Sequence, residues 1–321
     1  MSDTIETETI HTGDVRETLP ELPTSSVHMC MTSPPYYGLR DYQEDEQIGL
    51  EESLDDYISE LVGVGDALRR VLRDDGSWWL NLGDGYAGSG RGAWDKDDQK
   101  ESWTFNGGKA PERDTNLKRK NKMLVPHRVA IALQEAGWVV RNDVTWLKPN
   151  PMPQSVKDRL NTTTEQIFHL TPQPDYWYDL DAIREPYAEK TKIAKKNGHS
   201  VSGEKRTRDD SPGNHDEGGL YAKSREEQMN SAGKNPGDVF EITTEPFPDA
   251  HFAVYPSALC DKPIKASCPP TVCAECGAPY ERESEGWSQT CECDTDDTEP
   301  GIVIDPFAGA GTTLLKAKQL G

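Results

Sequence analysis

The sequence predicts an α/β fold with a largely parallel sheet, and three observations carry that expectation. Strand-like apolar runs alternate with amphipathic helical stretches along most of the chain. Near the C-terminus a β-branched run, Gly301-Ile302-Val303-Ile304, leads directly into a glycine-rich turn and a helix. No apolar run approaches the roughly 20 residues of a membrane span, so the 321 residues are free to bury one large core or two smaller ones. The acidic start MSDTIETETI differs from a signal peptide. A cytoplasmic protein with no membrane partner is expected.

Taken in order, Val27 to Met31 reads as a short buried strand, ended by Thr32-Ser33-Pro34-Pro35-Tyr36-Tyr37. Two consecutive prolines cannot extend a strand. Between Glu52 and Asp75 the residues Leu54, Tyr57, Ile58, Leu61, Leu68, Val71 and Leu72 recur mostly at three- and four-residue steps, which predicts a helix with Gly76 as its stop. Ser77 to Leu82 then reads as a strand, His127 to Ala136 as a helix, and Trp138 to Leu147 and Glu165 to Thr171 as strands. Two polar segments, 83–122 and 188–238, interrupt the rhythm. Neither has the apolar content for a core of its own, and both read as insertions that are disordered or order only on a partner, 188–238 being a DNA-recognition or a disordered segment.

The C-terminal strand is expected to be buried, and after it comes Asp305-Pro306-Phe307-Ala308-Gly309-Ala310-Gly311-Thr312-Thr313, then a helix from Leu314 to Leu320. Glycines there let a ligand approach the backbone closely, and the helix N-terminus offers free amides. The turn at 305–313 is neither a G-x-x-x-x-G-K-[ST] nor a complete G-x-G-x-x-G, so a phosphate cradle is not supported there.

Among seven cysteines, Cys273 and Cys276 form a C-x2-C pair followed by Gly277, and Cys291 and Cys293 follow after fourteen residues. Four thiolates in two close pairs suit a closed tetrahedral zinc site of structural kind. Cys268 is a substitute ligand, free surface thiols are the bland alternative, and Cys30 and Cys260 read as small buried hydrophobes. The formal net charge of -21 is unexpected for a protein that handles nucleic acid. Either the partner is something else, or the acidity is a general surface property with basic residues kept at the site. Local islands favour the second: Lys118-Arg119-Lys120-Asn121-Lys122, Lys190 to Lys196, and Lys205 to Arg208.

TSPPY at 32–36 and DPFAGAGTT at 305–313 together resemble the two signature motifs of amino-group DNA methyltransferases. The order, with the catalytic motif first, resembles the circularly permuted beta class. Gly13-Asp14, WLNLGDGYAG, VVRNDVTWLKPNPMPQSVKDR and HFAVYPSALCDKPI also fall where that family would place them. The resemblance implies a Rossmann-like sheet, S-adenosylmethionine as methyl donor and a flipped base of double-stranded DNA as acceptor. It divides the chain into a catalytic half, 1–187, the polar insertion 188–238, and a cofactor half, 239–321, that contains the cysteine knuckle at 266–296.

By the same resemblance Ser33, Pro34, Pro35 and Tyr36 are catalytic, and Asp305, Pro306, Phe307, Gly309, Gly311 and Thr312 lie against the cofactor. Asp14 would meet its adenine ring, and the segment from His251 to Leu259 its methionine moiety. An exocyclic amino nitrogen is a poor nucleophile because its lone pair is delocalised into the ring. Hydrogen bonds accepted by the Ser33 hydroxyl and the Pro34 carbonyl would direct that lone pair, while Tyr36 stacks on the extruded base. In the family TSPPY commonly accompanies N4 of cytosine and DPPY N6 of adenine, so cytosine N4 is expected and adenine N6 is the alternative. Lys148, Lys157 and Arg159 on the proline-stiffened loop, which would enter the DNA or shape the pocket for the flipped base, and Lys118, Arg119 and Lys120 are the expected DNA contacts. A cognate restriction endonuclease is a further expected partner. The family continues to a strand whose end carries an acid for the ribose, whereas this sequence ends at Gly321. Either the sequence is a truncated product, or another carboxylate substitutes, or cofactor binding is impaired, and a catalytically impaired nucleic-acid-binding relative is the other reading.

Overall fold

The protein is described from a computed structural model covering residues 7–42, 44, 46–88, 116–187, 230–245, 254–284 and 286–321. The expected islands at 190–196 and 205–208, most of the two polar insertions, and His251 fall outside the described residues. The chain forms two compact units, Met1–Asp179 with Asp238–Gly321, and Leu180–Gly237. In the smaller one, a 3-10 turn at Leu180–Ile183 precedes Glu185, whose backbone and side chain both pair with Lys234.

The larger unit is built on a six-stranded sheet of order β10-β1-β2-β4-β3-β5. Its strands are β1 (Val27–Thr32), β2 (Leu72–Leu82), β3 (Val139–Leu147), β4 (Thr164–Thr171), β5 (Val239–Glu241) and β10 (Val303–Ile304). The pairs β10/β1, β1/β2 and β3/β5 are parallel, while β4 runs antiparallel between β2 and β3. The reversal has a local cause: β3 and β4 are joined by residues 148–163, which contain no helix to carry the chain back to the starting edge.

Alternate side chains of the strands feed two cores. Val27 and Cys30 of β1, Trp78, Leu80 and Leu82 of β2, and Phe168 and Leu170 of β4 face one side with α1 (Val15–Glu21), α2 (Leu54–Val71) and α3 (Val125–Glu135). Met29, Met31, Trp79 and Ile167 face the other, with Leu259, Cys260 and Ile264 of α4 (Ala258–Ser267). A sheet covered on both faces needs strands apolar on both sides, which is why all six residues of β1 are buried.

Three expectations change. Gly76 does not stop α2, which ends at Val71; it lies inside β2, where the β1/β2 register slips. A Cβ there would come within 3.0 Å of the Arg73 and His28 carbonyl oxygens, so the glycine answers to a close backbone approach. The C-terminal strand β10 is half-buried, because it lies at the sheet edge. The last helix, α5 (Thr312–Gln319), begins two residues early, directly at Gly311.

The cysteine knuckle carries four short strands, β6 (Val272–Cys273) paired with β9 (Thr298–Glu299), and β7 (Glu281–Glu283) paired with β8 (Gly286–Ser288). It docks at the start of β1. His28 is buried, its Nδ1 accepts from the Ile302 amide at 3.0 Å, and its Nε2 therefore donates to the Gly277 carbonyl at 2.9 Å. Arg73 donates to the Cys276 carbonyl, and Arg282 grips the buried Asp179 through both carboxylate oxygens.

Candidate active site

At the opposite end of β1 the two signature motifs meet. Thr32 Oγ1 donates to Asp305 Oδ1 at 2.5 Å, joining the last residue of β1 to the residue after β10. The parallel pairing of those strands puts their C-terminal ends side by side, where open α/β sheets hold ligands. Asp305 also accepts from the Phe307 amide at 3.1 Å and the Tyr255 hydroxyl at 3.1 Å. Tyr255 contacts Thr313 Oγ1, which donates to the Met31 carbonyl. Burial raises the Asp305 carboxyl above the usual carboxylate range, against the opposing pull of these donors.

The turn that follows is open. Gly309 and Gly311 have φ of +53° and +75°, conformations that side-chain-bearing residues rarely adopt, and nothing lies within 4 Å of a Cβ placed on Gly311. No side chain caps α5, which leaves its first amides facing that space. Phe307 packs on the core beneath, while Pro306 and Thr312 are half-buried. Asp14 instead caps α1: its carboxylate accepts from the Arg16 amide at 2.8 Å and binds the Arg16 guanidinium, which lowers its pKa.

Beside the turn opens a cleft of about 620 Å3. Ser33, Tyr36, Asn81, Lys148 and Glu165 share one wall network. Ser33 Oγ donates to Tyr36 Oη at 3.2 Å, and Tyr36 Oη donates to Glu165 Oε2 at 2.7 Å. Asn81 Nδ2 reaches Tyr36 Oη at 2.8 Å and Glu165 Oε2 at 3.1 Å. The Lys148 ammonium pairs with Glu165 Oε1 and lies 4.2 Å from the centre of the Trp146 ring. Burial, and then the charge of Glu165, push the Tyr36 phenol well above its ordinary pKa. Its ring lies flush on Gly83, where a Cβ would come within 2.4 Å. Pro34 is buried, and the Pro35 carbonyl accepts from the Tyr57 hydroxyl at 2.9 Å.

The expected DNA contacts divide. Lys148 is inside the cleft; Lys118, Arg119 and Lys157 are exposed near its rim segments. Lys120 pairs with Asp158, and Arg159 lies 4.1 Å over the Tyr86 ring, so the chain around 116–122 and the proline loop are tied together.

At the far end of the sheet the sulfurs of Cys273, Cys276, Cys291 and Cys293 all lie within 4.8 Å of one another. Gly277, with φ +68°, turns the chain at the knuckle, and Gln289 Nε2 donates to Cys291 Sγ at 3.1 Å. Cys268 stands outside this group, its thiol pushed up to about 12 by burial.

The profile of the DNA methylase family that unites N6 and N4 methyltransferases matches residues 27–321. The chain belongs to that family. It is 35% identical over 314 residues to the Type II methyltransferase M.Cfr9I of Citrobacter freundii, covering 97% of this chain and 80% of the relative. Against M.SmaI of Serratia marcescens it is 35% identical over 308 residues, covering 96% and 82%. The cytosine-N4-specific PvuII DNA methyltransferase shares the fold, with a TM-score of 0.55 at 16% identity over 99% of this chain and 80% of that one. The protein is thus a DNA methyltransferase of Type II kinship, and DNA is its substrate.

Within the methyltransferase, Asn81, Gly83, Tyr255 and Thr313 lie in stretches that carry the family resemblance but had no individual role there, and Glu165 was expected only as the start of a strand. Asn81 and Glu165 did leave a signal. One is the lone amide in the buried run Trp78-Trp79-Leu80-Asn81-Leu82, and the other is a carboxylate at the head of a buried strand. No local signal pairs Tyr255 with Asp305 and Thr313, since it is remote from both in sequence.

Proposed function

We propose that this methyltransferase carries the methyl group of S-adenosylmethionine to N4 of a cytosine flipped out of double-stranded DNA. The observation that carries the reading is the Thr32–Asp305 hydrogen bond, which sets TSPPY and the glycine turn at one end of two adjacent strands. The open turn at Gly309 and Gly311, with the uncapped start of α5, fits a ligand that needs close backbone approach. Asp305, Pro306, Phe307, Gly309, Gly311 and Thr312 would hold the cofactor there, and a sulfonium methyl supplies the electrophile. Asp14 remains a candidate for the adenine end, its present engagement with Arg16 notwithstanding.

On the cleft side, Ser33 Oγ and the Pro34 carbonyl accept the two amino hydrogens and aim the nitrogen lone pair, and the Tyr36 ring stacks on the base. Serine at position 33, rather than an aspartate, supports cytosine over adenine. Pro35, whose carbonyl Tyr57 holds, fixes the turn. Positioning and electrostatics supply the rate gain. Lys118, Arg119, Lys120, Lys157 and Arg159 would meet backbone phosphates around the cleft. A cognate restriction endonuclease and a cytoplasmic location accord with the Type II relatives.

The knuckle fits one zinc ion. Four thiolates at this separation close into a tetrahedron with little movement, and the Gln289 amide already donates to one sulfur. Such a site leaves no open position, so its role is structural.

DNA from cells expressing the gene, digested and separated into nucleosides, tests the reading. N4-methylcytosine is expected with the wild type and is lost with Ser33→Ala. N6-methyladenine alone would transfer the assignment to adenine, and no modified base would overturn the activity.

A further inference from the structure

Methyl transfer to an amino group leaves a surplus proton. The nitrogen enters with two hydrogens and must end with one hydrogen and the methyl. Among the described residues, the wall network holds a directed path for that proton. Ser33 Oγ donates to Tyr36 Oη at 3.2 Å, and Tyr36 Oη donates to Glu165 Oε2 at 2.7 Å. Asn81, only 1% exposed, clamps the middle of the path through Nδ2. Lys148 sits on the other carboxylate oxygen and balances its charge. The remaining carboxylates of the cleft have no such link. Asp84 Oδ1 accepts from the Gly85 and Val125 amides and holds the approach to α3, and Glu245 makes no hydrogen bond to Ser33 or Tyr36 among the described residues.

We propose that Glu165 is the terminal proton acceptor of methyl transfer, reached from Ser33 through the Tyr36 hydroxyl. This rests on the amino-methylation reading above. As the N4–CH3 bond forms, the donor's S–CH3 bond breaks, its electron pair stays on sulfur, and S-adenosylhomocysteine leaves. N4 sheds one proton to Ser33 Oγ while Ser33 passes its own to Tyr36 Oη, and Tyr36 passes its own to Glu165 Oε2. Both hydroxyls end as they began, and the carboxylate becomes a carboxylic acid. A carboxylate is a sufficient base, because a tetrahedral ammonium on an electron-poor ring is strongly acidic. Burial disfavours the Tyr36 phenolate, so Tyr36 serves as a conduit rather than a base. Glu165, with its side chain 17% exposed at the cleft, can return the proton to water. Tyr36 thus has a second duty beside stacking, and the two are separable: phenylalanine keeps the ring and removes the oxygen.

The test is single-turnover methylation, with enzyme in excess over unmodified plasmid DNA, of the wild type, Tyr36→Phe, Glu165→Gln and the double variant. Each single variant is expected to slow methylation roughly 100-fold, the lower end of general-base contributions. Affinity for S-adenosylhomocysteine should be unchanged. The double variant should be no slower than the slower single one, because both cut the same path. A Tyr36→Phe enzyme at full rate would overturn the proposal, and so would losses that multiply in the double variant or that track lost S-adenosylhomocysteine affinity. If the wild type forms N6-methyladenine instead, the cytosine assignment fails and the same variants still decide the path.

Discussion

The two ends of β1 make opposite use of buried polar groups. At the lower end His28 is saturated, holding the Ile302 amide with one ring nitrogen and the Gly277 carbonyl with the other. At the upper end, roughly 16 Å away for five residues at about 3.3 Å each, Thr32 and Ser33 belong to networks that border open space: the glycine turn on one side and the cleft on the other. There Asn81 Oδ1 is buried without a hydrogen-bond partner among the described residues. A satisfied end docks a knuckle; an end with spare donors, acceptors and room receives ligands. The physical difference is that a closed set of hydrogen bonds gains little from a new partner, whereas a buried unpaired group costs about 1–3 kcal/mol until one arrives.

That contrast breaks most visibly at the knuckle. Removal of zinc by a chelator is expected to give the largest effect on stability, since structural zinc sites carry on the order of 10 kcal/mol of binding energy that the fold then lacks. Thermal unfolding with and without chelator measures it. If the lower end is purely structural, molecules still folded should bind S-adenosylhomocysteine with unchanged affinity, and a parallel loss of that affinity would erase the distinction between the ends.

Next comes Asp305→Ala. It strands the Thr32 and Tyr255 hydroxyls and the Phe307 amide in a buried setting, so stability should drop by about 2–4 kcal/mol. S-adenosylmethionine binding, read by titration calorimetry, should fall with it, whereas the zinc content of the purified protein should not. Asp305→Asn, which keeps one carbonyl acceptor, should lose less.

The smallest effect concerns pH. His169, on β4, stacks on Trp79 with ring centres 4.4 Å apart and bonds Ser77 Oγ at 3.0 Å. Burial, aided by the nearby charge of Arg141, lowers its pKa from 6.5 to about 3. The unfolded chain therefore takes up a proton below pH 6.5 that the folded chain refuses. This contribution to stability is fully present above pH 6.5 and is lost progressively as pH falls toward 3. One proton at about 1.4 kcal/mol per pH unit gives about 2 kcal/mol between pH 6.5 and pH 5. Unfolding free energies from urea titrations across that range should change by this amount in the wild type and less in His169→Gln, and equal slopes against pH in the two proteins would remove His169 from the account.

Much of this arrangement was legible in the residues. Alternating periodicities mark the α/β class, the prolines after Thr32 mark the end of β1, and the glycines at 309 and 311 mark a turn that needs positive φ. The four cysteines are readable by spacing alone, because a knuckle is nearly local in sequence. Other features depend on partners far along the chain. Gly76 looks like a helix stop until the His28 carbonyl is seen against it. Lys148, expected to enter the DNA or to shape the pocket for the flipped base, has no visible partner until Glu165 is found on it inside the cleft.

By itself the sequence determined the α/β alternation, the main strands and helices of the sheet to within a few residues, and which residue types stand at the strand ends, since these follow from periodicity and from the steric limits of proline and glycine. Only the tertiary structure decided that Asp305 receives Thr32 from 273 residues away, that Ser33, Tyr36 and Glu165 form one directed chain, and that the knuckle sits at the end of the sheet remote from the cleft. Those outcomes depend on strand order and register. Both are settled by which apolar faces pack together across the whole sheet, and no local stretch encodes that.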